Sequence, residues 1–262
     1  MRIETIDTGA FTMDCCRFGQ GEPLVILPGI SVQRVMASAG AVASAYRRLA
    51  ERFTIYVFER VNDMPAVYSV RDMARDAAAA LKALNLGPVN LFGASQGGMI
   101  AMVVAVECPA LVKKLAVGST SARISDARYA RVFEPWARLA KAGDASALYP
   151  AFGEAVYPKK WFDKLRPLLA DAANAVTEED LRRFATQTEA MRGFDILDDL
   201  GRIACPTLVI GSGDDAVFGG AASGEIAARV RNAGLFMYEG YGHAAYDLAP
   251  DYKARLMEFL AE

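Results

Sequence analysis

The run Gly93-Ala94-Ser95-Gln96-Gly97 sets a serine between two glycines, where an apolar stretch at 89–92 gives way to a helix-like stretch at 99–106. A serine on a sharp strand-to-helix turn is held in a strained backbone conformation, with its hydroxyl pushed clear of the sheet. The flanking glycines fit because a Cβ there would collide with neighbouring backbone. Such a hydroxyl is a candidate nucleophile. In a chain with 22 glycines the pattern arises by accident in roughly one sequence in ten. The plainer reading is a glycine-rich loop with serine as the helix N-cap. The strand signal before it and the helix signal after it favour the nucleophile.

A serine hydroxyl attacks a carbonyl only when a neighbouring base removes its proton, and that base is normally an imidazole. The chain has one histidine, His243, in Glu239-Gly240-Tyr241-Gly242-His243. A lone histidine is more often structural, yet this one follows the last apolar run within a few residues. That puts it on the same C-terminal sheet edge as Ser95, the edge where open α/β sheets bind ligands. The third requirement is a carboxylate that fixes the imidazole tautomer and stabilises the imidazolium. Two stand together in Gly211-Ser212-Gly213-Asp214-Asp215. From the residues alone, either could serve, and the other could simply favour a helix N-terminus.

The elements that must hold these residues are legible as a rhythm. Apolar runs recur at 24–27, 55–58, 89–92, 115–117, 208–210 and 235–238, without strict alternation, as suits strands buried on both faces of a parallel sheet. Helical patterns at 37–52, 70–84, 96–106, 224–232 and 252–260 separate most of them, which argues for a doubly wound α/β sheet. Two strands near 2–7 and 10–18, joined at Thr8-Gly9, form an antiparallel hairpin at one edge. Residues 120–200 carry no buried-strand signal. Their helical patterning, with prolines at 135, 150, 158 and 167, reads as an insertion. It is rich in aromatics, including Tyr129, Phe133, Trp136, Tyr149, Phe152, Tyr157, Trp161, Phe162 and Phe194. Most of them are expected to form the insertion's own small core, while a subset roofs a pocket above Ser95.

Composition excludes several classes. A net charge of -2 gives no electrostatic case for nucleic acid or an anionic membrane. The densest basic group, Lys159, Lys160, Lys164 and Arg166, is matched by nearby acids and reads as a solvated helical face. No apolar run approaches the ~20 residues that span a bilayer, and the alternating start of the chain lacks a signal-peptide core. Cys15, Cys16, Cys108 and Cys205 show no metal-ligand spacing, and neighbouring Cys15 and Cys16 point to opposite faces of a strand. Reduced thiols and a cytoplasmic location are expected, with no metal or organic cofactor.

These residues together resemble the α/β-hydrolase superfamily over nearly the full length. The resemblance rests on the N-terminal hairpin, Leu27-Pro28-Gly29-Ile30, the Gly93–Gly98 turn, Cys205-Pro206 with the strand after it, Gly242-His243 and the closing helix. It implies an eight-stranded, mostly parallel sheet formed by 1–119 and 201–262, with 120–200 as a helical cap. It also implies a Ser95–Asp–His243 triad. The position nine residues after Pro206 points to Asp215, while a glycine three residues before the acid favours Asp214 as the alternative. The implied oxyanion donors are the N–H groups of Ile30 and Gln96. Three departures stand out: Pro28-Gly29 where relatives often have His-Gly, Gly219 where many have proline, and Glu59-Arg60-Val61-Asn62-Asp63 in place of an Asp-x-Arg-Gly turn. The last is expected to be a solvated loop without catalytic meaning.

The resulting expectation is a serine hydrolase acting on a small carboxylic ester, thioester or amide through an acyl-enzyme. Carbon–carbon bond hydrolysis, acyl transfer and peracid formation would use the same residues. A non-catalytic ligand-binding protein on the same fold is the rival from another class. A dinucleotide-binding enzyme is weaker still: the loop after Leu27 lacks G-x-G-x-x-G, and Ala216 stands where Gly211-Ser212-Gly213 would need a third glycine.

Overall fold

A computed structural model describes residues 1–262. Eight strands, β1 (Arg2–Asp7), β2 (Thr12–Gly19), β3 (Glu22–Leu27), β4 (Phe53–Val61), β5 (Val89–Ala94), β6 (Val112–Gly118), β7 (Thr207–Ser212) and β8 (Ala233–Tyr238), form one sheet. Their order is β1-β2-β4-β3-β5-β6-β7-β8. β1 and β2 are an antiparallel hairpin, β2 runs antiparallel to β4, and every later pairing is parallel. Parallel pairing accounts for the unbroken apolar runs, since both faces of the middle strands lie under helices. Every residue of β5 is buried.

The helices are α1 (Ala39–Ala45), α2 (Val70–Leu84), α3 (Gln96–Glu107), α4 (Asp126–Arg128), α5 (Glu134–Lys141), α6 (Ala145–Val156), α7 (Lys159–Ala173), α8 (Glu178–Glu189), α9 (Ala222–Ala227), α10 (Ala245–Leu248) and α11 (Tyr252–Ala261). Local chemistry sets several ends. Ser69 and Asp72 form a capping box at the start of α2, and Asn85 closes it in the left-handed region at φ 50°. Thr177 and Asp180 repeat the box at α8. α3 is apolar on every side and buried up to Val106, because it packs on the sheet and is itself covered.

Two helical expectations are corrected. The pattern at 37–52 breaks into short pieces around α1, and that at 224–232 yields only the end of a six-residue α9. Both segments bury few side chains, so little packing holds long helices there. A third correction concerns the insertion. From α4 to α8 it is helical, but it has no separate core. Its Phe133, Trp136, Leu148 and Phe184 belong to the same buried cluster as Val25, Leu91 and Met99 of the sheet and α3. Cys15 and Cys16 do face opposite ways, Cys15 into that cluster and Cys16 into the one beneath α1 and α11. Burial pushes the Cys15 thiol up to about 12, which leaves it inert. No helix is long and apolar enough to cross a membrane.

Candidate active site

Ser95 follows β5 directly and precedes α3, with φ at 55°, one of three non-glycine residues at positive φ. Two neighbours hold it there. Its N–H donates to the Gly118 carbonyl at 2.9 Å, and its carbonyl accepts from the Thr120 hydroxyl at 2.7 Å. The glycines are demanded by close approach. A Cβ on Gly93 would stand 2.2 Å from the Gly97 carbonyl oxygen, and one on Gly97 would stand 1.9 Å from the Leu27 carbonyl oxygen.

The turn brings Ser95 Oγ to 3.0 Å from Nε2 of His243, and His243 Nδ1 lies 2.9 Å from Oδ2 of Asp215. All three side chains are buried. A carboxylate only accepts, so Nδ1 carries the proton and Nε2 offers its lone pair to the serine hydroxyl. Asp214 does not reach the ring. Its carboxylate accepts from Ser212 Oγ at 2.7 Å and from the N–H groups of Gly240 and Gly242, both at 3.2 Å. The two neighbouring acids thus divide their work: Asp215 meets the imidazole, and Asp214 fixes the loop that carries it.

Desolvation by itself would push the Asp215 carboxyl up. His243 and the N–H groups of Phe218 and Val217, which donate to Oδ1 at 3.0 and 2.8 Å, outweigh it and hold the group below the usual carboxylate range. Phe218 stands edge-on to the imidazole at 5.3 Å between centroids. Arg128 of α4 donates to the carbonyls of Ala216 and Val217, so the insertion grips the acid's loop. Gly219, at φ 92°, leaves space for that guanidinium: a Cβ there would be 2.7 Å from Arg128 Nη2. At the other loop, the Ala244 N–H donates to the Val156 carbonyl at the end of α6.

Gln96 follows Ser95 directly, and Ile30 follows Gly29, which abuts the serine. Ile30 lies just beyond β3, and its N–H has no hydrogen-bond partner within the chain. Gln96 opens α3, among the first-turn donors that lack an intrahelical acceptor. Between the two, Gly29 faces the serine so closely that a Cβ would meet Ser95 Cβ at 3.0 Å and Oγ at 3.4 Å. Two N–H groups beside a buried hydroxyl can receive a developing oxyanion.

A family model for the alpha/beta hydrolase family matches residues 24–255. The chain belongs to the alpha/beta hydrolase family. Among curated relatives, a protein named "Putative carbamate hydrolase RutD" from Pseudomonas savastanoi pv. phaseolicola is 29% identical over 206 residues, covering 76% of this chain and 77% of its own. Among solved structures, an alpha/beta hydrolase enzyme from a Medee basin deep-sea metagenome library superposes with a TM-score of 0.86 at 21% identity. That match covers 100% of this chain and 98% of the other. The enol-lactonase from Burkholderia xenovorans gives a TM-score of 0.85 at 18% identity, covering 99% and 100%. The protein is therefore a hydrolase enzyme built on this fold.

Beside the serine of this hydrolase lies a cavity of about 430 Å3. Gly29 and Ile30 form one wall, and Tyr149, Phe152, Tyr157 and Leu169 of the insertion form another. These are the aromatics that face a cavity. Trp136 and Phe133 meet edge to face, Phe133 lies tilted against Phe218, and Phe218 stands edge-on to the histidine ring. Ser95 and His243 are not themselves among the residues lining the cavity beside the serine, but Gly29, which abuts the serine, is. A larger concavity of about 610 Å3 between α5 and α8 has no such neighbour of Ser95 in its lining.

Glu59 to Val61 is the clearest correction, while Asp63 is exposed in a bend as expected. β4 continues through Val61, and Glu59 and Arg60 are 5% and 4% exposed, so they are buried rather than solvated. α8 covers the strand's end, where Arg183 donates to the carbonyls of Val61 and Asn62 at 2.9 and 3.0 Å. Thr120, Arg128 and Gln187 were also missed. Two charged residues at the C-terminal end of a buried strand were the available signal for Arg60, because that edge is where ligands bind.

Proposed function

We propose that this enzyme is a serine hydrolase that cleaves small carboxylic esters through an acyl-enzyme on Ser95. Ser95 attacks the substrate carbonyl while His243 takes its proton. Asp215 orients the imidazole and stabilises its charged form. The N–H groups of Ile30 and Gln96 hold the tetrahedral oxyanion. His243 then protonates the leaving alcohol, and water attacks the acyl-enzyme by the same route. Residues 120–200 act as a cap, and the acyl group lies in the cavity between residues 28–30 and α6–α7.

The observation that carries the reading is the line of contacts from Ser95 Oγ to Nε2 at 3.0 Å and from Nδ1 to Asp215 at 2.9 Å, on a serine at φ 55°. A carbamate is the second reading, favoured by the curated relatives' name. Its carbonyl would be attacked by the same hydroxyl.

The test is turnover of p-nitrophenyl esters of increasing acyl length, alongside thioester, amide and aryl carbamate analogues. Ester turnover that vanishes in Ser95→Ala supports the reading. Faster turnover of the carbamate than of every ester would favour the second, and wild-type inertness toward all of them would sink both.

A further inference from the structure

Arg60 is a buried guanidinium without a carboxylate partner in bonding range. Its Nη2 donates to the Pro28 carbonyl at 2.9 Å and to Gln96 Oε1 at 3.2 Å, while Nε has no partner. Both acceptors are neutral. Burying an arginine this way costs free energy that an ion pair would have offset, so the site gains something else from it.

The two acceptors lie on the two halves of the oxyanion hole. Pro28 is two residues before Ile30 on the loop after β3, and Gln96 supplies the other N–H from its own backbone. Those halves are contributed by segments 66 residues apart in sequence, and no backbone hydrogen bond joins Ile30 to Gln96. One guanidinium nitrogen spans the gap. The bridge extends further, because Gln96 Nε2 donates to the Gln187 carbonyl of α8 at 2.6 Å. α8 is itself tied to the end of β4 by Arg183.

We propose that Arg60 is a positioning residue that sets the spacing of the two oxyanion donors, using the Gln96 side chain as its second anchor and α8 as the backstop. It touches no reacting atom. Its cationic charge beside both donors also favours the negative charge that develops there. This explains why a glutamine, with one acceptor and one donor at its tip, follows the serine: Arg60 needs the acceptor and the Gln187 carbonyl needs the donor. The inference rests on the serine-hydrolase reading above.

The test uses Arg60→Met, Arg60→Lys, Gln96→Met and the Met/Met double variant with p-nitrophenyl acetate. It adds a trifluoromethyl ketone, whose adduct with the serine places an oxyanion in the hole. Arg60→Met is expected to lower kcat about 10²-fold, the effect of a misplacement near 1 Å, with KM held. Affinity for the ketone should fall in parallel with kcat/KM, and Arg60→Lys should recover part of both. The double variant should lose no more than Arg60→Met, because the two side chains form one bridge. A folded Arg60→Met enzyme with wild-type kcat overturns the proposal, as does ketone affinity that stays constant, or losses that multiply in the double variant. Should Arg60→Met fail to fold, Gln96→Met decides, since it leaves Arg60 on Pro28: an unchanged kcat overturns the bridge. Absence of wild-type ester turnover would instead be failure of the hydrolase reading.

Discussion

Asp215 and His243, 28 residues apart in sequence, meet at 2.9 Å, while Asp214 turns away to bind Gly240 and Gly242. The pair gives a sharp expectation. Asp215→Asn keeps the shape but offers an N–H toward Nδ1, favouring the wrong tautomer, and should lower kcat by up to ~10⁴-fold. Asp214→Asn should cost far less, because it loosens the histidine loop without changing the tautomer. Steady-state kinetics on one ester compares them, and a larger loss in Asp214→Asn would contradict the division of roles.

The same carboxylate links stability to pH. Asp215 lies below the usual carboxylate range in the folded chain, against about 3.9 when unfolded. A depressed folded value contributes stability that is fully present above the unfolded value and is lost as pH falls through the folded one. Urea unfolding of wild type and Asp215→Asn should therefore differ by a constant amount at mildly acidic pH and converge below about pH 4. Parallel curves down to pH 2 would show that this carboxylate is not held in the charged form.

Gly97 tests the packing of the oxyanion loop. Its missing Cβ would lie 1.9 Å from the Leu27 carbonyl oxygen and 2.6 Å from that of Pro28. Both are backbone atoms, so no rotamer change makes room. Gly97→Ala should displace residues 28–30 and lower kcat by about 10²-fold or more. Wild-type kcat in a folded variant would mean that the loop's position does not matter to the chemistry.

The cavity of about 430 Å3 predicts selectivity. Each acyl methylene seated against Leu169, Phe152 and Ile30 contributes about 0.8 kcal/mol, or about fourfold in kcat/KM, until the space fills. Leu169→Ala should move the optimum to a longer acyl chain. An identical chain-length profile in wild type and variant would place the acyl group elsewhere.

The sequence was most informative where chemistry and geometry constrain residue type together. Ser95 between glycines, a single histidine after the last strand and an acid after the preceding one were all visible, and the structure brings Ser95, His243 and Asp215 into one line. The choice between Asp214 and Asp215 was less visible, because adjacent residues share a loop and differ only in where the backbone aims them. Arg60 was misread for a related reason. A buried charge looks like a surface charge until the covering element is known, and here that element is α8, more than a hundred residues later. The insertion's aromatics were legible as apolar but not by partner, so their merger with the sheet's core was hidden.

The central claim is that Ser95 becomes acylated. Rapid mixing of the enzyme with p-nitrophenyl acetate, followed by intact mass and peptide mapping, measures it most directly. The account predicts a stoichiometric burst of p-nitrophenolate with an acetyl group on Ser95, and neither in Ser95→Ala. Undiminished turnover by Ser95→Ala, or an acetyl group on another residue of a competent enzyme, would contradict it.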